Sequence, residues 1–263
     1  MNLLKRDLLL KEKIMNIKRF LYAIIGFIVL ASPSTTVRAN QLYQKSVFSI
    51  SLPDGWVEIP SDVMHAYEKK IKRLAPNASA PQYDYGFQLG SADKWFKYPY
   101  ILVRIKNTGR IPESQIEKLE EYSVQESLDK LKGDLSPVIS DIQVGKMYYD
   151  KTAKIIWLRV ESNIYGVGYV SGLSGIIPTE EGFIQVSGYS LKSNYSYYEP
   201  LFINAAMSVT PSSELVYTPK WSDSLPPAVS GINWGKVVEK AIAGAILGGL
   251  LTLFAGLRRK KKE

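Results

Sequence analysis

The uncharged run Ala241 to Leu257, AIAGAILGGLLTLFAGL, constrains this chain more than any other stretch, because Arg258, Arg259, Lys260, Lys261 and Lys262 follow it at once. As an α-helix the run rises ~26 Å, close to the ~30 Å hydrocarbon core of a bilayer. Trp234, Lys236 and Lys240 extend it, the ring at headgroup level and the amine stems snorkelling outward. Cations after an apolar run are retained in the cytoplasm. Residues 235–257 therefore read as a transmembrane helix and 258–263 as a basic cytoplasmic tail, with the rest of the chain across the cytoplasmic membrane. Gly244, Gly248, Thr252 and Gly256 recur at four-residue spacing. They form a small-residue ridge for membrane-helix packing, against another membrane protein or a second copy. Ala241, Ala245 and Gly249 extend that face. The plainer account is that glycine is frequent in membrane helices.

The other end supports export. Phe20 to Ala31 is an apolar run behind Lys18-Arg19, and Val37-Arg38-Ala39 follows as a small-residue cleavage pattern. That is the layout of a secretory signal peptide over residues 1–39. A start at Met15 gives a leader of more ordinary length, and an uncleaved anchor is the alternative; either way the domain is exported. The formal charge of +8 resides in the two ends. Residues 1–39 and 235–263 each carry net +5, while 40–234 carries −2. The basicity is therefore no sign of a nucleic-acid partner. The chain has no cysteine, which excludes disulfides, thiolate nucleophiles and thiolate metal sites.

Between the ends, about one domain's worth of sequence alternates in period. Phe48, Ile50 and Leu52 alternate with Ser49 and Ser51 as a half-covered strand, Pro53-Asp54-Gly55 turns the chain, and Trp56 to Ile59 returns as a second strand. Val63, Met64, Tyr67, Ile71 and Leu74 make one helical stripe. Tyr83 to Leu89 and Tyr100 to Lys106 read as strands. Pro112 at a first turn and Gly133 past an end bracket a helix over 113–132. Strands follow at 142–149, 152–161, 167–177 and 183–191, then a helix over 198–208 with Leu201, Phe202, Ala205 and Val209 toward the sheet. Ile155 and Trp157 face opposite to Ile156, Leu158 and Val160, so that strand needs cover on both faces. The fold class is α+β, an antiparallel sheet of about six to eight strands with helices on both faces in an α/β/α sandwich, plus the C-terminal transmembrane helix.

The opening Phe48-Ser49-Ile50-Ser51-Leu52-Pro53-Asp54-Gly55-Trp56 and the order of elements resemble Mog1/PsbP-like domains, including bacterial exported members, over about residues 43–210. The resemblance implies that fold and accessory or binding roles. It implies no catalytic residues, since the family shares none. The globular domain is placed at 40–210. The Pro- and Ser-rich segment 211–234 is expected as an extended tether.

No catalytic, cofactor or metal site is expected. His65, the one histidine in the sequence, falls on the solvent side of its helix. Gly172-Leu173-Ser174-Gly175 misses the nucleophile-elbow spacing by one position, and Gly166-Val167-Gly168 with Gly172 misses the dinucleotide spacing. Glu120-Glu121 and Glu180-Glu181 read as solvated charges. Without thiols, and with a single histidine, a metal would need an Asp-rich loop, which the sequence lacks. Tyr195, Tyr197 and Tyr198 form a candidate surface aromatic patch, with capping of the sheet edge as the plainer role. The expected function is a membrane-anchored exported binding or assembly accessory of the cell envelope. Two alternatives stay open, an exported hydrolase with a carboxylate site and an envelope sensor or adhesin.

Overall fold

A computed structural model of the chain describes residues 40–74, 82–90, 94–118, 125–224 and 234–254. The segment 1–39, read above as a signal peptide, Glu120-Glu121, Gly256 and the basic tail lie outside those residues. In chain order the elements are β1 (Asn40–Gln44), β2 (Phe48–Pro53), β3 (Trp56–Glu58), α1 (Ser61–Leu74), β4 (Tyr85–Leu89), β5 (Tyr100–Asn107), α2 (Glu113–Lys118) and α3 (Gln125–Leu135). Then come β6 (Ile139–Val144), β7 (Tyr148–Asp150), β8 (Ile155–Ile164), β9 (Gly168–Thr179), β10 (Gly182–Leu191), α4 (Tyr195–Met207), β11 (Thr210–Pro211) and α5 (Trp234–Gly248).

The main sheet is eight-stranded and antiparallel, in the order β3-β4-β5-β10-β9-β8-β6, with β7 sharing the outer edge of β8. Its central strands are apolar on alternate positions of both faces, so both faces must be covered. One face is closed by β2, through Phe48, Ile50 and Leu52, and by α4, through Phe202, Ala205 and Ala206. These meet Ile101, Val103, Ile184 and Val186 from β5 and β10. The opposite face is closed by α1 through Met64, Tyr67 and Ile71, by α3 through Leu128, Leu131 and Leu135, and by α5 through Ile242, Ile246 and Leu247.

Several local expectations are corrected. β2 and β3 are not a hairpin. β2 pairs with β1 and β11 in a separate three-stranded sheet, while β3 pairs with β4. Gly55, at φ +91°, lets the chain turn the corner from the covering layer into the sheet. The helix expected to end before Gly133 runs through it to the fully buried Leu135, whose burial outweighs the ~1 kcal/mol propensity cost of glycine. The strand expected at 142–149 splits into β6 and β7 around Gly145, and both pair with β8.

The Pro/Ser-rich segment, expected as a free tether, is fastened to the domain over residues 210–224. Thr210 and Pro211 pair with β2, Val216 bridges Thr179, and the Tyr217 hydroxyl donates to Ile111 O at 2.7 Å. Arg110 Nη2 donates to Thr218 O at 2.6 Å and to Asp223 Oδ2 at 2.7 Å.

The C-terminal helix is the largest difference. The continuous helix expected over 235–257 is a fifteen-residue α-helix that gives way at Gly249 to a 3-10 turn, Gly249–Phe254. Among the described residues no helix is long and apolar enough to cross a membrane. Ile242, Ala245, Ile246, Leu247, Leu250 and Leu251 are each 2% exposed or less. The consecutive glycines 248 and 249 weaken the helix at this point, and side chains of the sheet hold their carbonyls.

Candidate functional site

The face of the sheet beneath α5 is built differently from the face beneath α4. On β5, Tyr100, Leu102 and Arg104 share the α5 side because strand residues two apart point the same way. On β10 the same rule places Phe183, Gln185, Ser187 and Tyr189 there, and on β9 it places Ser174. Arg104, Gln185, Ser174, Ser187, Tyr83, Tyr100 and Tyr189 are all at most 4% exposed. A polar floor thus lies in the middle of an otherwise apolar core.

That floor donates hydrogen bonds to the main chain of the C-terminal segment. The Tyr83 hydroxyl donates to Gly244 O at 2.6 Å and the Tyr98 hydroxyl to Gly249 O at 2.7 Å. The Tyr100 hydroxyl donates to Gly248 O at 2.8 Å, with Gly249 O at 3.2 Å. Arg104 Nη1 donates to Lys240 O at 2.8 Å and Gln185 Nε2 to Ala241 O at 3.1 Å. Thr252 Oγ1 donates to the Tyr100 hydroxyl at 3.3 Å. Such approach requires a helix face without side chains. A Cβ on Gly248 would lie 2.2 Å from the Tyr189 hydroxyl, and one on Gly244 would lie 2.5 Å from Arg104 Nη1. A methyl at Gly248 would collide with two buried phenols, and one at Gly244 would push the Arg104 guanidinium aside.

The loop before β5 forms one wall. Gln88, 1% exposed, holds it by donating from Nε2 to Lys94 O at 2.8 Å and accepting from Lys97 N at 2.9 Å. Phe96, at φ +58°, is thereby wedged against Tyr67 and Tyr100, with ring centroids 4.3 and 5.8 Å away. Tyr98 stacks on Tyr100 at 5.1 Å.

Burial sets the protonation of this floor. Loss of water raises the hydroxyl pKa of Tyr83, Tyr100 and Tyr189, and that of Tyr98 to about 12. All four hydroxyls therefore remain donors at neutral pH. Burial lowers the pKa of Arg104, and the nearby Asp84 carboxylate opposes that fall. The guanidinium stays charged, because arginine is not deprotonated in proteins. Arg104 Nε and Gln185 Oε1 are buried without a hydrogen-bond partner among the described residues. The floor therefore holds more polar capacity than the helix uses.

The small-residue ridge read from the sequence is placed against this floor through Gly244, Gly248 and Thr252, while Gly256 lies outside the described residues. The three tyrosines of the candidate patch do not share one environment. Tyr197 is 72% exposed, whereas Tyr195 and Tyr198 are half-buried against Phe202. Arg159 lies over the Tyr195 ring at 5.6 Å and pairs with Glu199. His65 lies on the exposed side of α1, its Nδ1 3.5 Å from Glu68 Oε2. Glu180 is tied into an ion cluster, accepting from Lys220 Nζ at 2.6 Å, Thr218 N at 2.9 Å and Arg110 Nε at 3.1 Å. Those bonds, from Lys220 first, lower its pKa to about 2.

The floor itself was not singled out in the sequence. Its signal was available, since Arg104, Gln185, Ser187 and Ser174 fall on one parity of strands whose neighbours are apolar, and a sheet covered on both faces leaves such residues no solvent.

No protein-family model matches the chain, and no curated protein matches it. Among solved structures it is similar to PsbP (CyanoP) from the cyanobacterium Synechocystis, at 11% identity and a TM-score of 0.40, over 69% of this chain and 97% of that one. It is also similar to LpqN of Mycobacterium tuberculosis, a protein involved in cell envelope biogenesis, at 11% identity and a TM-score of 0.33, over 66% of this chain and 90% of that one.

Proposed function

We propose that the chain is a non-catalytic accessory protein of the cell envelope, an exported domain that binds or assembles other envelope components and is held at the cytoplasmic membrane by its C-terminal segment. The observation that carries this reading is the donor floor. Buried tyrosines, an arginine and a glutamine grip an apolar helix by its carbonyls, which is the chemistry of recognition and presents no nucleophile paired with a base. The leader-like N-terminal run and the five cations after Leu257 support export with the C-terminus inside. Once in lipid, the ridge of Gly244, Gly248, Thr252 and Gly256 offers a close-packing face to a second membrane helix. The exposed Tyr197 ring offers a contact for a soluble partner.

The test is topological. With a tag fused after Glu263, the chain should stay in the membrane pellet through alkaline carbonate. Protease added to spheroplasts should digest the domain and spare the tag. Release by carbonate, or a protected domain with a digested tag, would remove the reading.

A further inference from the structure

The C-terminal helix has two homes that it cannot occupy at once. On the sheet it ends at Gly248, and residues 249–254 form a 3-10 turn. To span ~30 Å of hydrocarbon the same residues must continue as one helix of about 20 residues. The apolar term does not decide between the homes. Ile242, Ile246, Leu247, Leu250 and Leu251 are out of water on the sheet, and lipid tails solvate them equally well. What differs is polar. On the sheet, the helix carbonyls gain second donors from Tyr83, Tyr100, Arg104 and Gln185, while Arg104 Nε and Gln185 Oε1 remain buried and unpaired. In lipid, the helix satisfies its own carbonyls, and the vacated floor regains water at those two atoms.

We propose that the tyrosine and arginine floor is a reversible binding site whose occupant is this chain's own glycine-ridged C-terminal helix. The helix is held on the sheet in water and is surrendered to a bilayer, which uncovers the floor. This rests on the anchoring read above. The glycine ridge serves both homes. It admits tyrosine hydroxyls to the backbone on the sheet, and it leaves a small-residue face in the membrane. Release leaves Tyr83, Tyr100, Tyr189 and Arg104 lining an open cleft only when the protein has reached a membrane.

The cysteine-free sequence makes the test direct. A Cβ on Gly249 would stand 3.7 Å from Val170 Cγ1, so the two positions are in direct contact across the seam between helix and sheet. The full chain carrying Val170→Cys and Gly249→Cys should crosslink in buffer under mild oxidation. With phosphatidylglycerol vesicles present, the crosslink yield should fall roughly tenfold or more as the bilayer takes up the helix, and the chain should float with the vesicles. Flotation with no crosslink in buffer would overturn the exchange and leave the anchoring intact. An undiminished crosslink without flotation would overturn both, and an undiminished crosslink with flotation would make the helix a fixed part of the domain and the exchange wrong. If the double variant does not fold, hydroxyl-radical footprinting of the natural chain reads the same event. Oxidation of Tyr83, Tyr100 and Tyr189 should rise severalfold with vesicles, and unchanged protection of all three would reject the proposal.

Discussion

One face of the sheet is closed by a single helix and a ribbon, the other by three helices, and the two also differ in chemistry. Under α4 and β2 the contacts are mostly hydrocarbon, with Phe48, Ile50, Leu52 and Phe202 set among Ile101, Val103, Ile184 and Val186 and only the small hydroxyls of Ser171 and Ser190 buried beside them. Under α5 the sheet offers Arg104, Gln185, Ser174, Ser187 and three buried tyrosines. A permanent core gains little from such groups, since each must be desolvated and then matched. The first face therefore resembles an interior, and the second resembles a binding site whose occupant is encoded in the same chain.

The sharpest way to break this contrast is to damage the dry face. Phe202 is 2% exposed, and its ring presses against the backbone at Gly188, where a Cβ would lie 2.2 Å from it. Phe202→Ala should cost about 3–5 kcal/mol and lower the whole cooperative transition in denaturant. A loss confined to residues near α4, with the rest of the sheet still protected from hydrogen exchange, would mean that this face is not part of the common core.

Gly248→Ile should act on the other face and differently. A side chain there collides with the hydroxyls of Tyr189 and Tyr83, an overpacking cost on the order of 1–3 kcal/mol that the protein can avoid by releasing the helix. Hydrogen exchange should then accelerate across Gly244 to Leu251 while β9 and β10 stay protected. Loss of sheet protection to the same extent would show that the helix is as integral as α4.

How much of this was legible follows the same division. The dry face could be read, because Phe48, Ile50 and Leu52 alternate with serines and the stripe of Phe202, Ala205 and Val209 keeps helical period. Periodicity reports burial against hydrocarbon. The docked helix could not be read, because an uncharged glycine-rich run satisfies a bilayer and an apolar cleft equally. The residues that choose between them, Tyr83, Tyr98, Tyr100 and Arg104, lie about 140 to 160 positions away in sequence. Fastening of the Pro/Ser-rich segment was hidden for a related reason. Asp223 and Glu180 look solvated locally, and Arg110, the residue that gathers them, comes from a distant loop.

Removing one hydroxyl tests the floor more finely. Tyr100→Phe keeps the ring stacked on Tyr98 and deletes the donor to Gly248 O. It should cost about 1 kcal/mol, read as faster exchange of the α5 amides, with the urea dependence of the sheet's own unfolding unchanged. Ser208→Ala, near the other face, removes a hydroxyl that donates to Ala205 O and accepts from Ser51 N and should leave α5 exchange untouched. If the two substitutions affect α5 alike, the floor has no special hold on it.

The smallest expected effect concerns the strap that leads toward α5. Lys220, Thr218 and Arg110 hold the Glu180 carboxyl at about 2, and Arg110 lowers that of Asp223. A carboxylate whose pKa is lower folded than unfolded stabilises the folded state fully above its unfolded value. That stabilisation is lost as pH falls through the folded one. The strap should therefore loosen as pH drops from about 4.5 to about 2, with exchange of the Thr218 amide that donates to Glu180, followed at each pH, tracking the fraction that has opened. Glu180 is one-fifth exposed, so its share is about 1 kcal/mol or less, as for a surface ion pair. Glu180→Gln should flatten that part of the pH dependence without changing exchange in the α4 face. An equal slope in the variant would assign the acid sensitivity to the domain as a whole rather than to the strap that feeds the docked helix.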